Sequence, residues 1–265
     1  NRGTTGAVVL RQPFGGMGKS AFGPGIKAGG TNYVAQLMQF ESSEPVLEDV
    51  AIVNPRLAAL HDDLTGNDKF ITSRIDASER ARICTAIRSY DQASVTEFGK
   101  KHDACRLIGQ DNFRRYLPVK DVRIRIHPAD SAFDVFARAA AAMAVGSRAT
   151  ISYVPGCAMP VLDVLEYVTD AWGARIEFVE ESDDTLVQVI RARQTDRVRF
   201  AKDSAIPSKV YRAIDETGIY IARAPVLPHG RVELLWYVRE QSISSDYHRY
   251  GTLAFRADEE RSPTL

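Results

Sequence analysis

The feature that most limits the possible folds is a repeated change of hydrophobic period between residues 121 and 222. Segments that alternate apolar and polar residues, as strands do, are separated by segments of helical period, and the connections are short. The predicted order is β-α-β-α-β-α-β-α-β. Because parallel strands need crossover connections, usually helices, this order predicts an α/β fold with a doubly wound, mostly parallel sheet.

Turn and capping residues set the bounds of these segments. Residues 122–126 alternate apolar and basic side chains, which predicts a strand with one buried face. Gly146, Gly173 and Gly218 each follow a helical segment, where glycine commonly ends a helix. The other predicted strands are 149–154, 174–179, 197–201 and 219–222, and the predicted helices are 131–145, 160–172, 183–193 and 207–217.

The segments outside this region are expected to differ from it. Residues 50–108 are expected to be helical, with Asp76 as an N-cap and Glu79 three residues later, as in a capping box. The apolar face of that helix comprises Ile83, Ile87 and Tyr90. Residues 33–40 and 231–238 are predicted strands.

The composition excludes several classes of protein. The chain has 265 residues, of which 45% are hydrophobic, so a substantial core can form. Its 34 basic and 34 acidic residues balance, which argues against a nucleic-acid or membrane surface. No apolar run approaches the roughly 18 residues of a membrane span, and no apolar signal segment is present. Three widely spaced cysteines are predicted to be reduced thiols of a cytoplasmic protein.

Residues 1–33 are rich in glycine, threonine and serine, a composition typical of active-site loops. Two phosphate-binding patterns within them are incomplete. Residues 16–20 resemble the end of a P-loop, but Pro13 stands where its first glycine belongs. Residues 23–28 have the spacing of a dinucleotide fingerprint, yet they follow no strand and open no helix. Neither pattern predicts a phosphate site.

Ligands of doubly wound folds bind at the carboxyl ends of the strands. Residues 127–130 and 202–205, which follow the first and fourth predicted strands, contain no glycine. Asp203, near a helix start, would repel a pyrophosphate. We therefore expect no working cofactor site in this sheet.

Two further residues carry reactive side chains. Cys157 follows a Pro-Gly turn and is a candidate nucleophile, but no histidine or glutamate lies near it in the sequence. A buried, unreactive thiol is the favoured interpretation. His248, between Tyr247 and Arg249, is interpreted as a contact in a docking tail rather than as a catalytic group.

Two motif blocks resemble a known family. Residues 12–16, Gln-Pro-Phe-Gly-Gly, with Ser20 and Gly23, resemble the active-site loop P-F-G-G-x-x-x-S-x-x-G of aldehyde dehydrogenases. The longer run 1–30 is similar to L-glutamate γ-semialdehyde (Δ1-pyrroline-5-carboxylate) dehydrogenase, most of all to the form fused to proline dehydrogenase in bifunctional PutA proteins. Residues 240–251 are similar to the C-terminal motif of the longer members. The resemblance thus covers both ends of the chain.

The resemblance implies a substrate site in the glycine loops. Thr5, Gly6 and Ala7 would anchor the substrate α-carboxylate through backbone N–H groups, since adjacent loop N–H groups form an anion nest. Phe14 would line the aldehyde channel. Residues 34–40 would belong to an oligomerisation flap, which implies a homo-oligomer.

The resemblance also implies NAD-dependent oxidation of glutamate semialdehyde to glutamate in proline catabolism. A thiolate would attack the aldehyde, hydride would pass to NAD, and a glutamate-activated water would hydrolyse the thioester. The nucleophile, the general base and the NAD fold would precede residue 1, so this chain would hold no catalytic residue and would be inactive alone. FAD would be a further cofactor if a proline dehydrogenase domain were fused upstream.

Four domains are implied. They are the end of the catalytic domain (1–42), a helical linker (43–108), a Rossmann-like, non-catalytic and degenerate copy of the cofactor domain (109–235), and the motif tail (236–265). The family's Lys-Pro and Gly-Ser cofactor contacts fall at Val154-Pro155 and Asp203-Ser204, where valine replaces the lysine and aspartate replaces the glycine. The alternative is an independent Rossmann-type nucleotide-binding domain or a pure assembly module.

Overall fold

A computed structural model describes residues 6–21, 23–43, 45, 51–248 and 250–263. The chain divides into two compact units. The first, here called the loop unit, comprises Asn1–Met38, Gly99–Leu117 and Arg239–Leu265, and the second, the sheet unit, comprises Gln39–Phe98 and Pro118–Val238. The domain bounds at residues 42, 108 and 235 stay a prediction.

Seven strands lie within the described ranges: β1 (Gln110–Pro118), β2 (Asp121–Arg125), β3 (Arg148–Tyr153), β4 (Ile176–Glu180), β5 (Arg197–Arg199), β6 (Tyr220–Ala222) and β7 (Val238–Asp246). Five of them form a sheet in the order β4-β3-β2-β5-β6. Every neighbouring pair in it is parallel. The chain runs outward from β2 to one edge and then crosses to the other side of β2, so the doubly wound α/β prediction is confirmed.

The α-helices of the described residues are α1 (Pro55–Thr65), α2 (Lys69–Thr72), α3 (Ala77–Ala93), α4 (Ala132–Val145), α5 (Pro160–Thr169), α6 (Asp183–Arg191), α7 (Ser208–Thr217) and α8 (Gly230–Glu233). Helices α4 to α7 are the crossovers between the parallel strands. No described helix is long and apolar enough to cross a membrane.

Predicted capping residues lie at the start of α3 and at the ends of α4 and α7. Asp76 caps α3 by accepting a hydrogen bond from the Glu79 N–H at 2.9 Å. The Glu79 carboxylate instead accepts one from the Phe133 N–H at 2.8 Å, so it ties α3 to the start of α4. Gly146 and Gly218 end α4 and α7 in the left-handed conformation that favours glycine.

The predicted apolar face of α3 is buried, because Ile83, Ile87 and Tyr90 are fully covered. The Tyr90 hydroxyl, which needs a partner at that depth, donates to the Leu227 carbonyl at 2.5 Å. A second cluster packs α6 and α7 on the sheet; its members include Leu186, Ile190, Val198, Phe200, Val210 and Ile221.

Two predicted strands are wrong. Within 33–40 the chain forms a 3-10 helix, Tyr33–Leu37, and 231–238 holds α8 and a second 3-10 helix, Leu234–Tyr237. Short apolar runs without strict alternation suit a strand or a buried helical turn equally, and tertiary packing decides between them. Strand β7 forms later, in the segment that the sequence indicated only as a polar tail.

Strand β2 is buried on both faces, not on one. Its basic residues Arg123 and Arg125 are 8% and 3% exposed. Arg123 makes a bidentate pair with Glu181 at 2.7 and 2.9 Å, and Arg125 pairs with Asp183 at 2.6 Å. Because buried charges are tolerated when they are paired and hydrogen-bonded, these carboxylates explain how basic residues occupy a central strand.

The last residue of β5, Arg199, belongs to a similar buried ion pair. Arg199 lies 2.8 Å from Glu233, and both side chains are fully buried. Glu233 also accepts hydrogen bonds from the Tyr237 hydroxyl and the Leu227 N–H. Burial raises the pKa of Glu233, and the neighbouring guanidinium opposes that shift.

In the loop unit, β1 and β7 form a two-stranded sheet. Gln110 donates to Asp246 at 2.8 Å, and Ser244 donates to Asn112 at 2.9 Å. The residue number rises from 110 to 112 along β1 while that of its partner on β7 falls from 246 to 244, so the two strands run antiparallel.

Candidate functional site

The glycine loops fold back on themselves through two short backbone pairings. Val8 and Gln12 exchange hydrogen bonds at 3.0 and 2.8 Å, and Phe14 and Ala28 exchange them at 3.0 and 2.9 Å. The first pairing closes a tight turn between the Gly6–Ala7 segment and Phe14. The second aligns Phe14 with the second half of the loops.

A lysine holds the Gly-Gly segment in place. The Lys27 ammonium donates to the carbonyls of Gly15 and Gly16 at 2.5 and 3.1 Å. Lys27 is buried, and burial lowers its pKa while the charge of Glu240 opposes that shift. The ammonium thus replaces water as the partner of two loop carbonyls.

Glu240, on β7, joins the glycine loops to the C-terminal motif. Its carboxylate accepts hydrogen bonds from the Lys27 N–H at 2.7 Å and from the Asn32 side-chain amide at 2.6 Å. The side chain is buried, and its backbone N–H donates to the Gly25 carbonyl. Asn32 also donates to the Tyr116 hydroxyl on β1. The two motif blocks are therefore in direct contact, although 213 positions separate Lys27 and Glu240.

Gly16 is required by a close approach. A Cβ atom at this position would overlap the carbonyl and the hydroxyl of Ser20. Ser20 in turn donates to the Met17 carbonyl at 2.8 Å, which closes a single 3-10 turn, Gly18–Ser20. The P-loop-like pattern is therefore a compact turn held by its own serine.

The predicted substrate residues lie in these loops, but only some of them are described. Thr5 falls outside the described residues. Gly6 and Ala7 are exposed, and Gly6 has a φ of +86° with no heavy atom within 4 Å of the position of a Cβ. Phe14 is 44% exposed. Their roles in substrate binding stay a proposal.

The carboxyl edge of the parallel sheet does not fit a nicotinamide cofactor. Asp203 lies in a 3-10 turn, Asp203–Ala205, just before α7. It accepts hydrogen bonds from the Tyr211 hydroxyl and from Arg223, and these contacts lower its pKa, that of Tyr211 most. A charged carboxylate therefore stands where a pyrophosphate would need N–H donors.

Other protein groups occupy the point where the strand order reverses. Arg125, the last residue of β2, donates to Ser152 at 2.8 Å and to Asp183, in the first turn of α6. Lys202, after β5, reaches the Ala129 carbonyl at 3.4 Å. These contacts span the crevice in which doubly wound folds hold their ligands.

The surroundings of Cys157, Cys84 and His248 are those of structural residues, not of catalytic ones. Cys157 is half-buried rather than buried, and burial raises its pKa, which disfavours the nucleophilic thiolate. Cys84 is buried, with a pKa raised to about 11 by burial. The Nδ1 atom of His248 lies 3.0 Å from the Gly109 carbonyl.

Sequence reasoning missed Lys27, Asn32 and Glu240 as site residues. Each is a single polar residue in a segment without a catalytic spacing, so no local pattern marks it. The only available signal was the resemblance of both motif blocks to one family.

Comparison with solved structures found a similar protein that covers nearly the whole chain. Proline Utilization A (PutA) from Corynebacterium freiburgense matches 94% of this chain at 27% identity, with a TM-score of 0.57. The chain spans only 20% of that protein. No protein-family model and no curated protein sequence matched.

Dehydrogenase structures match a smaller part. The match to succinic semialdehyde dehydrogenase from Streptococcus pyogenes, solved with NADP+, covers 66% of this chain and 41% of that dehydrogenase. The identity is 13% and the TM-score is 0.49. NADP-dependent glyceraldehyde-3-phosphate dehydrogenase from Bacillus halodurans covers 65% and 40%, at 12% identity and a TM-score of 0.45. The likeness to PutA, together with the parallel five-stranded sheet, shows that this chain shares its fold with a part of that protein.

Proposed function

We propose that this chain is part of an NAD-dependent enzyme that oxidises L-glutamate γ-semialdehyde to L-glutamate in proline catabolism. It supplies the loop that anchors the substrate carboxylate and a structural lid domain. The supporting observation is the buried contact of Glu240 with Lys27 and Asn32, through which the C-terminal motif holds the glycine loops. The likeness to a protein named for proline utilisation supports the proposed role in proline catabolism.

In this proposal the loop positions the substrate, and none of its residues forms or breaks a covalent bond in the reaction. The N–H groups of Gly6 and Ala7, with Thr5 beside them, bind the α-carboxylate, and Phe14 forms one wall of the aldehyde channel. Lys27 and Glu240 keep these loops in one conformation, so little entropy is lost when the substrate is ordered.

The reacting groups belong to the rest of the enzyme. NAD, bound mainly outside this chain, accepts the hydride, and the nucleophilic cysteine and general base lie upstream. FAD serves a proline dehydrogenase domain where one is fused to the enzyme. We further propose a cytoplasmic homo-oligomer.

The test uses the intact enzyme that carries this chain and two substrates. Gly6→Val places a branched side chain at a positive φ in the anchor, so the KM for glutamate semialdehyde should rise about tenfold or more with a smaller change in kcat. The KM for propanal, which has no carboxylate, should change little. Gly18→Val is the matched control, because Gly18 also has a positive φ with open space beside it.

An unchanged KM for glutamate semialdehyde in Gly6→Val would reject the role of this loop as a carboxylate anchor. It would favour the alternative in which the chain is a pure assembly module. An equal rise for both aldehydes would show that the substitution disturbs the whole site and not carboxylate binding.

A further inference from the structure

Two adjacent residues, Lys27 and Ala28, restrain the backbone of Phe14 and of the two glycines that follow it. Phe14 and Ala28 exchange backbone hydrogen bonds at 3.0 and 2.9 Å. The Lys27 ammonium donates to the carbonyls of Gly15 and Gly16 at 2.5 and 3.1 Å. Three successive residues of the active-site motif are therefore held from one neighbouring segment.

The methylene stem of Lys27 also lies against this segment. A Cβ atom at Gly15 would lie 3.3 Å from the Lys27 Cδ atom, so the stem packs directly on the glycine backbone. The whole lysine is only 8% exposed. Long basic side chains commonly bury their stems and keep the charged end in water, whereas here the charged end is turned to the loop carbonyls.

The buried ammonium depends on those carbonyls. Among the described residues, no carboxylate pairs directly with the Lys27 ammonium, because the Glu240 carboxylate accepts from the Lys27 N–H and the Asn32 amide instead. Burial lowers the pKa of Lys27, and the charge of Glu240 opposes that shift. A buried charge is costly unless it is hydrogen-bonded, so separation of the ammonium from the two carbonyls is unfavourable.

The side chain that these contacts position is Phe14. It is 44% exposed, so its ring has fewer packing neighbours than a ring in the core, and the backbone has a larger part in fixing its place. In the proposed function this ring is one wall of the aldehyde channel. A change in the backbone at Phe14 therefore changes the width of that channel.

We infer that Lys27 sets the size selectivity of the aldehyde channel by holding Phe14 in place. Lys27 is a positioning residue, since it acts through Phe14 and forms no bond with the substrate. The inference rests on the proposed function, in which Phe14 is a wall of the channel. With the lysine present the wall is fixed and wide aldehydes are excluded; without it the wall yields and they enter.

The test compares propanal with benzaldehyde in the intact enzyme that carries this chain. Lys27→Met keeps an unbranched stem and removes the ammonium, so kcat/KM for propanal relative to benzaldehyde should fall about tenfold. A loss of folded enzyme alone would lower both values equally and leave their ratio unchanged. Lys19→Met is the matched control, because Lys19 is an exposed lysine of the same loops.

A double-mutant cycle shows whether Lys27 acts through Phe14. Phe14→Ala should itself lower the ratio, and Lys27→Met added to it should change the ratio no further. A second tenfold fall in the Phe14→Ala background would overturn the inference, because Lys27 would then act by another route.

Hydrogen exchange of the intact enzyme gives a measurement that does not depend on catalysis. The N–H groups of Phe14 and Ala28 should exchange about tenfold faster in Lys27→Met and at an unchanged rate in Lys19→Met. Unchanged exchange in Lys27→Met would overturn the inference.

The aldehyde ratios separate this inference from the proposed function. A lower ratio in Phe14→Ala with an unchanged ratio in Lys27→Met would reject the role of Lys27 and leave the proposed channel standing. An unchanged ratio in both variants would reject the channel wall as well.

Discussion

A single buried carboxylate organises the glycine loops. Glu240 provides acceptors for one backbone N–H and one side-chain amide, in a place that water does not reach. Buried donors that lose their acceptor cost about 1–3 kcal/mol each, which is much more than the net gain of an exposed hydrogen bond. The conformation of these loops is therefore set by a residue on β7.

We predict that Glu240→Ala opens the loops locally. The Lys27 N–H loses its acceptor, so its hydrogen exchange should accelerate about tenfold or more, which corresponds to roughly 1.4 kcal/mol. Exchange measured by NMR checks this. Glu166→Ala, which removes an exposed glutamate from α5, should leave Lys27 unchanged. Equal exchange in Glu240→Ala and the unmodified chain would contradict the role assigned to Glu240.

At the scale of elements, ion pairs hold the segment that follows β7 against β1. This segment, residues 250–263, is here called the C-terminal tail. Asp111 on β1 receives Arg256 and Arg261, and these contacts, led by the Arg256 hydrogen bond, hold the pKa of Asp111 below its ordinary value of 3.8. A carboxyl group whose pKa is lowered by docking stabilises the docked state above its ordinary pKa. That contribution disappears as the pH falls through the lowered value.

The tail should therefore detach on acidification below pH 3.8. Faster backbone motion at Ala254–Arg256, measured by NMR relaxation, is the expected sign. Asp111→Asn should release the tail at neutral pH and remove the acid transition. Asp184→Asn, which breaks an exposed pair with Lys209, is the control and should leave the tail docked. A tail that stays docked in Asp111→Asn would show that other contacts hold it.

At the scale of the whole molecule, a strand order that is common in cofactor-binding folds is combined with charged side chains at the carboxyl edge of the sheet. The sheet order β4-β3-β2-β5-β6 creates the crevice, whereas Asp203, Arg125 and Lys202 fill it with the protein's own charges and contacts. The strand order alone is thus a poor guide to ligand binding, because the fold does not determine the chemistry of its loops.

We predict that the 265-residue chain binds NAD, NADP and ATP no more tightly than the millimolar range. Asp203 repels phosphates, and the described turn before α7 offers them no glycine-rich cradle. Calorimetric titration with each nucleotide measures this. Sub-millimolar binding would favour the independent nucleotide-binding domain. The same chain should show no aldehyde oxidation; measurable turnover would contradict its assignment as a non-catalytic part.

The sequence by itself determined the parallel sheet and its crossovers. Hydrophobic period, N-caps such as Asp76 and the glycine ends of α4 and α7 are local signals, and each acts within a few residues of the structure that it specifies. The short apolar segments 33–40 and 231–238 carried no such unambiguous signal, so packing decided their helical form.

Only the tertiary structure decided which charges meet. Arg123 with Glu181, Arg199 with Glu233, and Glu240 with Lys27 and Asn32 are distant in the sequence, and no periodicity encodes their pairing. The candidate site consists of such pairs: the sequence indicated its glycine loops, but the buried carboxylate that holds them appears only when β7 reaches them. Local propensity acts over one turn or one strand, whereas burial forces distant polar groups to find each other, and that requirement arises only in the folded chain.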